Sequence, residues 1–273
     1  MCDLCVIQSV KDRMLSRRDL FKGAAAVAAG AAAVTTGTAP AALAAGHARV
    51  EDMTYTVSPD FPTYFGAPGI AMEQKFNFKD NGFNLFQIDL NEHTGTHMDA
   101  PLHFSADGQA VDEIPVENLV CPLVCLDIRA KADADADAQV TPDDVKDWIA
   151  ANGPVPDKAC VAMLSGWGAK TGGAGFRNVG ADEKMHFPGF HVETAQMLIE
   201  ETGAVGMAVD TLSLDHGPSA DFATHYAWLP TNRWGIENLA NLENVPAAGA
   251  TLVVGAPKHK GGSGGPARIF AMV

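Results

Sequence analysis

Three imidazoles and a carboxylate fall within eleven residues at His93-Thr94-Gly95-Thr96-His97-Met98-Asp99-Ala100-Pro101-Leu102-His103. Imidazole nitrogen and carboxylate oxygen are the donors that borderline divalent ions such as zinc and manganese accept. Gly95 and Pro101 argue against a helix, so the pattern predicts an irregular strand-to-loop segment following the apolar run that ends near Leu90. In extended backbone His97 and Asp99, two residues apart, point to one side and can grip one ion, with His93 folding in from the bend at Gly95. The competing reading is a set of unrelated histidines followed by ordinary Asp-Ala-Pro turn chemistry.

Such a segment needs a frame to hold it. Runs rich in Val, Ile and Leu at Phe83 to Leu90, Leu119 to Ile128, Cys160 to Leu164, Ala204 to Val209, Thr251 to Val254 and Arg268 to Val273 read as strands. Two helices stand between them. Thr141 caps one, with Pro142 at its first position and Asp143 and Asp144 in its first turn, running to about Ala151. The other spans roughly Val192 to Glu201 and stops at Gly203. Strands with few helices predict a mixed α/β or α+β domain in which sheet dominates. Lys131 to Gln139, with its Ala-Asp repeat, reads as a solvated loop and not as a calcium loop. Gly261-Gly-Ser-Gly-Gly265 lacks the ending of a phosphate loop and reads as a turn between two strands. Leu164-Ser165-Gly166-Trp167-Gly168 does not fit the nucleophile elbow of serine hydrolases.

Residues 1–45 differ in composition from the rest. Ser16-Arg17-Arg18-Asp19-Leu20-Phe21-Lys22, an Ala-rich apolar run from Gly23 to Val34, and small residues through Ala45 have the order of a signal peptide, cleaved between Ala42 and Gly46. The paired arginines resemble the twin-arginine export signal, which carries proteins already folded, so the expectation is a periplasmic or secreted protein with no stable membrane anchor after cleavage. The apolar run is shorter than the roughly 20 residues that span a bilayer. Residues 46–273 are expected to form one domain with 14 basic and 30 acidic residues. An acidic protein of this kind should repel nucleic acid and anionic lipid. Cys121, Cys125 and Cys160 lack the paired spacing of a zinc ribbon and read as buried thiols.

His93-Thr-Gly-Thr-His97-Met-Asp99-Ala-Pro101-Leu-His103-Phe104 resembles the His-x-Gly-Thr-His-x-Asp-x-Pro-x-His-Phe signature of the cyclase family, which includes bacterial kynurenine formamidase and isatin hydrolase, and every defined position matches. Weaker matches at Asp52-Met-Thr, Phe187-Pro188-Gly189-Phe190, Val209-Asp210-Thr211 and Gly265-Pro266-Ala-Arg268 extend the resemblance across the domain. It implies the family's swivelling β/β/α fold, an α/β domain dominated by sheet with flanking helices. It also implies that His93, His97 and Asp99 bind a divalent metal, Zn2+ or Mn2+, and that His103 moves protons. Where a second ion is bound, the resemblance implies that Asp99 bridges the pair, and a downstream His and a Glu twelve residues later match His225 and Glu237. A homodimer or larger assembly is implied as well.

Where the formamidases commonly carry Trp-Pro-Gly-Asp, this chain reads Thr63-Tyr64-Phe65-Gly66-Ala67-Pro68, which puts a formamidase substrate in doubt. Tyr64, Phe65, Phe104 and Trp167 are candidates for the flat apolar walls of a substrate pocket, as is Trp234, against the plain alternative that each is core. The expected function is metal-dependent hydrolysis of a non-peptide carbon-nitrogen bond in a small molecule, an aryl formamide or a cyclic amide such as isatin. Two other functions suit the same residues: a metal-dependent binding protein, and a lyase or dehydratase using the same site.

Overall fold

The structure is a computed structural model and describes residues 49–273. The signal-peptide expectation falls on residues 1–45 and lies outside the described residues. Among the described residues no helix is long and apolar enough to cross a membrane. They fall into two compact units, one being Met72–Asp89 and the other residues 49–71 with Leu90–Val273.

The strands in chain order are β1 (Val50–Asp52), β2 (Ile70–Phe76), β3 (Leu85–Leu90), β4 (His97–Asp99), β5 (Val120–Asp127), β6 (Gln139–Val140), β7 (Cys160–Leu164), β8 (Gly189–Phe190), β9 (Gly206–Val209), β10 (Trp234–Glu237), β11 (Ala250–Gly255), β12 (Gly264–Pro266) and β13 (Arg268–Met272). The helices are α1 (Phe78–Asn81), α2 (Arg129–Ala134), α3 (Pro142–Asn152), α4 (Val192–Glu201) and α5 (Ala223–Trp228). Nine strands of the larger unit form one sheet in the order β1-β13-β11-β5-β7-β9-β10-β4-β12. Its middle, β5 to β10, is parallel, and both flanks are antiparallel.

Parallel strands covered on both faces read as unbroken apolar runs, and β7 and β9 are buried at every position. The two-residue period of β5 divides its side chains between two cores. Leu123 and Cys125 join Leu252, Ile269 and Ile236 on one side. Val124 and Leu126 join Val145 and Trp148 of α3 and Ala195 and Leu198 of α4 on the other. Helix α3 starts as the sequence predicts, with Thr141 and Asp144 forming a reciprocal capping box. Cys121, Cys125 and Cys160 are free and buried.

The stretch 131–139 is not simply a solvated loop. Ala132 and Ala134 belong to helix α2, Lys131 ties back to the Gln139 carbonyl and the Asp144 carboxylate, and β6 begins at Gln139. The glycine-rich stretch is likewise more than a turn, since Gly264 and Gly265 are already in β12, paired with Asp99 and Met98.

The smaller unit carries most of a two-stranded sheet, β2 with β3, joined through α1. Asn77 caps α1 by accepting from the Asp80 amide, and Gly82 closes it in the left-handed region. The expected strand from Phe83 to Leu90 is present as β3, yet each of its residues is exposed, so it is not a core strand.

Candidate metal centre

Strand β4 lies between β10 and β12, and the β10 register sets Glu237 opposite His97 and Gly235 opposite Asp99. The alternation along β4 sends His97 and Asp99 to the same side, with His97 Nε2 3.4 Å from Asp99 Oδ1. Glu237 Oε2 stands 3.3 Å from His97 Nε2. Short helix α5 delivers His225, whose Nε2 is 3.2 Å from Glu237 Oε1 and 3.6 Å from Asp99 Oδ2. His93 reaches the other Asp99 oxygen through Nδ1 at 2.8 Å.

The bend that allows this is Gly95, with φ of +65°, where a Cβ would sit 2.3 Å from Val57 Cγ2. The Gly95 carbonyl accepts from His97 Nδ1 and from Asn238 Nδ2, both at 2.8 Å. His225 Nδ1 is held 2.6 Å from Asp215 Oδ2, and that carboxylate also accepts the backbone N–H groups of Thr224 and His225. With their Nδ1 atoms occupied, His97 and His225 turn Nε2 toward the carboxylates.

His97, Asp99, His225 and Glu237 are all buried, Asp99 fully. Burial disfavours the charged imidazole of His97, but the carboxylates of Asp99 and Glu237 outweigh it and hold its pKa up at about 10. His225 is raised in the same way, against burial, by Asp215, Asp99 and Glu237. Burial opposes ionisation of Asp99 and Glu237, and their histidine partners nevertheless keep both below the usual range. The cluster therefore calls for positive charge at its centre.

Two buried atoms in it, His97 Nε2 and Asp99 Oδ2, have no hydrogen-bond partner. Nitrogen and oxygen donors converging in this way fit a divalent cation of the zinc or manganese kind. Two ligand groups have atoms within 4.8 Å of one another, His97 with Asp99 and Glu237, and His93 with Asp99 and His103. Asp99 belongs to both, which is what a bridging carboxylate requires.

His103 sits on the 3-10 turn Pro101–Phe104, its ring stacked on His93 with centroids 3.8 Å apart. Burial pushes its pKa down to about 4, so the imidazole is neutral at pH 7. It opens onto a cavity of about 260 Å³ whose wall includes Tyr64, Phe65, His93, Phe104, Leu212, Ser213, Phe222, His225 and Glu237.

Trp167 is a correction. It is not on that wall but buried with Phe61, Phe176 and Phe187, donating its indole N–H to the Phe176 carbonyl. Trp234 is also core, bonded to the Asn118 carbonyl. Ser165 donates to Asp210, whose carboxylate also accepts the backbone N–H groups of Ser165, Gly166 and Trp167. The serine thus serves a structural bond, consistent with its not fitting a nucleophile elbow. Sequence reasoning did not single out Asp215, Phe222, Leu212 or Ser213. A carboxylate ten residues before His225 was a faint signal for the first, and the others carried none.

Residues 51–216 match the family described as "Putative cyclase". The chain is 30% identical over 253 residues to an isatin hydrolase of Roseibium aggregatum, covering 85% of this chain and 95% of that protein. It is 28% identical over 220 residues to a kynurenine formamidase of Salinibacter ruber, covering 80% and 94%. Its fold matches isatin hydrolase A from Labrenzia aggregata with a TM-score of 0.78 at 35% identity, over 82% of this chain and 93% of that one.

Proposed function

The chain belongs to the cyclase family of hydrolases, and from that premise we propose that its substrate is a flat cyclic amide such as isatin, opened by addition of water. It is a metal-dependent hydrolase of a non-peptide carbon-nitrogen bond, and the fold is the α/β architecture shared with isatin hydrolase. The observation that carries the choice of substrate is the cavity. Tyr64 and Phe65, from the segment that departs from the formamidase pattern, stand on its wall together with Phe104 and Phe222. Tyr64 and Phe65 meet edge to face at 5.5 Å, and Phe104 lies 5.5 Å from Phe222. Aromatic walls of this kind suit a planar bicyclic ring.

His93, His97, Asp99, His225 and Glu237 would hold one or two divalent ions, Zn2+ or Mn2+. Bound there, such an ion would lower the pKa of a water and polarise the amide carbonyl. The remaining work belongs to the protein. His103, neutral and facing the cavity, accepts a proton at its free ring nitrogen and returns it to the leaving nitrogen. Asp215 and the Gly95 carbonyl keep the His225 and His97 rings from turning.

Two features of the working protein complete the proposal. It is exported through the twin-arginine signal at Arg17 and Arg18, already folded, and it acts as a homodimer or larger assembly.

Mass spectrometry tests the reaction. Protein loaded with manganese or zinc is expected to add one water to isatin, and a chelated control is not. Water addition to N-formylkynurenine alone would replace the cyclic amide by an aryl formamide. Chelator-insensitive turnover would remove the metal from the mechanism.

A further inference from the structure

Ser263, at the centre of the glycine-rich stretch Gly261–Gly265, touches a ligand histidine. Ser263 Oγ donates to Glu92 Oε2 at 2.6 Å, and the Ser263 backbone N–H points to the same oxygen at 3.3 Å. An ionised carboxylate only accepts, so the serine hydroxyl proton is committed to Glu92 and Oγ has only lone pairs left to offer. His93 Nε2 lies 3.0 Å from that Oγ and must therefore carry the proton. Nδ1 is then the nitrogen turned toward Asp99 Oδ1, 2.8 Å away, the side on which a cation would be held. His93 thus presents the opposite ring nitrogen to the one His97 and His225 present.

The far end of the chain of bonds is anchored too. His259 Nε2 lies 2.6 Å from Glu92 Oε1, so both carboxylate oxygens are engaged. A Cβ at position 262 would come 2.1 Å from His259 Nε2 and 2.6 Å from Glu92 Oε1, so a larger residue there would push the two side chains out of this arrangement.

We propose that Ser263 and Glu92 are positioning residues that fix His93 as an Nδ1 metal ligand, with His259 anchoring Glu92 from the solvent side. The proposal rests on the metal-hydrolase reading and concerns ligand geometry, not turnover. Outer partners of ligand histidines are commonly worth about 10–100-fold in metal affinity.

The test is Ser263→Ala, which removes the acceptor while changing little volume, with Ser263→Thr as the rescue. Affinity for zinc and manganese is measured by chelator competition, the His93 tautomer by 15N NMR of the zinc-loaded protein, and folding by circular dichroism. Ser263→Ala is expected to bind metal about 10–100-fold more weakly and to lose the Nε2–H tautomer of His93, and Ser263→Thr to recover both. Glu92→Gln, which can no longer compel the serine proton outward, should weaken binding in the same direction. Affinity within threefold of the parent would overturn the proposal. So would weaker binding with an unchanged tautomer, or no recovery in Ser263→Thr, since either assigns the effect to packing. A parent protein that binds no metal would bring down the hydrolase reading as well, so the two failures are distinguishable.

Discussion

His97 Nε2 and Asp99 Oδ2 are buried polar atoms without a hydrogen bond, each a cost of about 1–3 kcal/mol if nothing satisfies it. A cation held between them removes that cost, so the two residues act as a unit. Either His97→Ala or Asp99→Ala should reduce bound metal, measured by elemental analysis after dialysis, to below about a tenth of the parent level, within the penalty expected for lost ligands. Full metal content in His97→Ala would remove it from the ligand set. His103 behaves differently if it only moves protons. His103→Gln should keep its metal and lose about 100-fold or more in kcat, the contribution typical of a placed acid-base group. Loss of metal instead would make His103 a ligand, a role its proximity to His93 and Asp99 makes geometrically open.

At the scale of elements, Asp210 fastens the turn that follows β7. Asp210→Ala leaves the buried backbone N–H groups of Ser165 and Trp167 and the part-buried one of Gly166 without an acceptor. A loss of about 3 kcal/mol follows. For a unit of this size that lowers Tm by roughly 6–12 °C, readable by calorimetry, and a shift under about 2 °C would show the turn holds without it. Strand β5 makes a second prediction. Burial pushes the Cys121 and Cys125 thiols up to about 12, so their thiolate fractions at pH 8 fall roughly a thousandfold below those of the unfolded chain. Iodoacetamide should modify them slowly in the native protein and rapidly in denaturant, and equal rates would mean that the β5 core opens freely. These elements also mark what the sequence could reveal. The apolar runs of β5, β7 and β9 and the cap of α3 are local signals, and the structure has each of them, whereas α4 is capped by His191 and ends on Thr202 in extended backbone. The ligand spacing of His97 and Asp99 is local as well, through the two-residue period of a strand. Ser263 meets His93 across 170 residues, and Glu237 meets His97 only through the register of β10 on β4, so neither approach is written in any short window.

At the scale of the whole molecule, an excess of 14 acidic charges should keep copies apart unless some surface escapes the repulsion. The β2–β3 hairpin is such a surface. Its residues 70–90 carry two basic and three acidic side chains, close to balance, and Met72, Phe78, Leu85, Phe86 and Ile88 are exposed on it. A two-stranded hairpin is marginal on its own in water, and β3 is exposed at every position, on both faces. Contiguous exposed apolar side chains of this kind mark association sites. A second copy of the same chain is the occupant the charge pattern favours, because the near-neutral hairpin is where two acidic molecules can meet. Light scattering at micromolar concentration should therefore give at least twice the chain mass for the parent. The double variant Leu85→Asp with Ile88→Asp should give the single-chain mass while still binding metal, since neither residue belongs to the centre. A single-chain mass for the parent, or an unchanged mass for the variant, would remove the hairpin from the assembly.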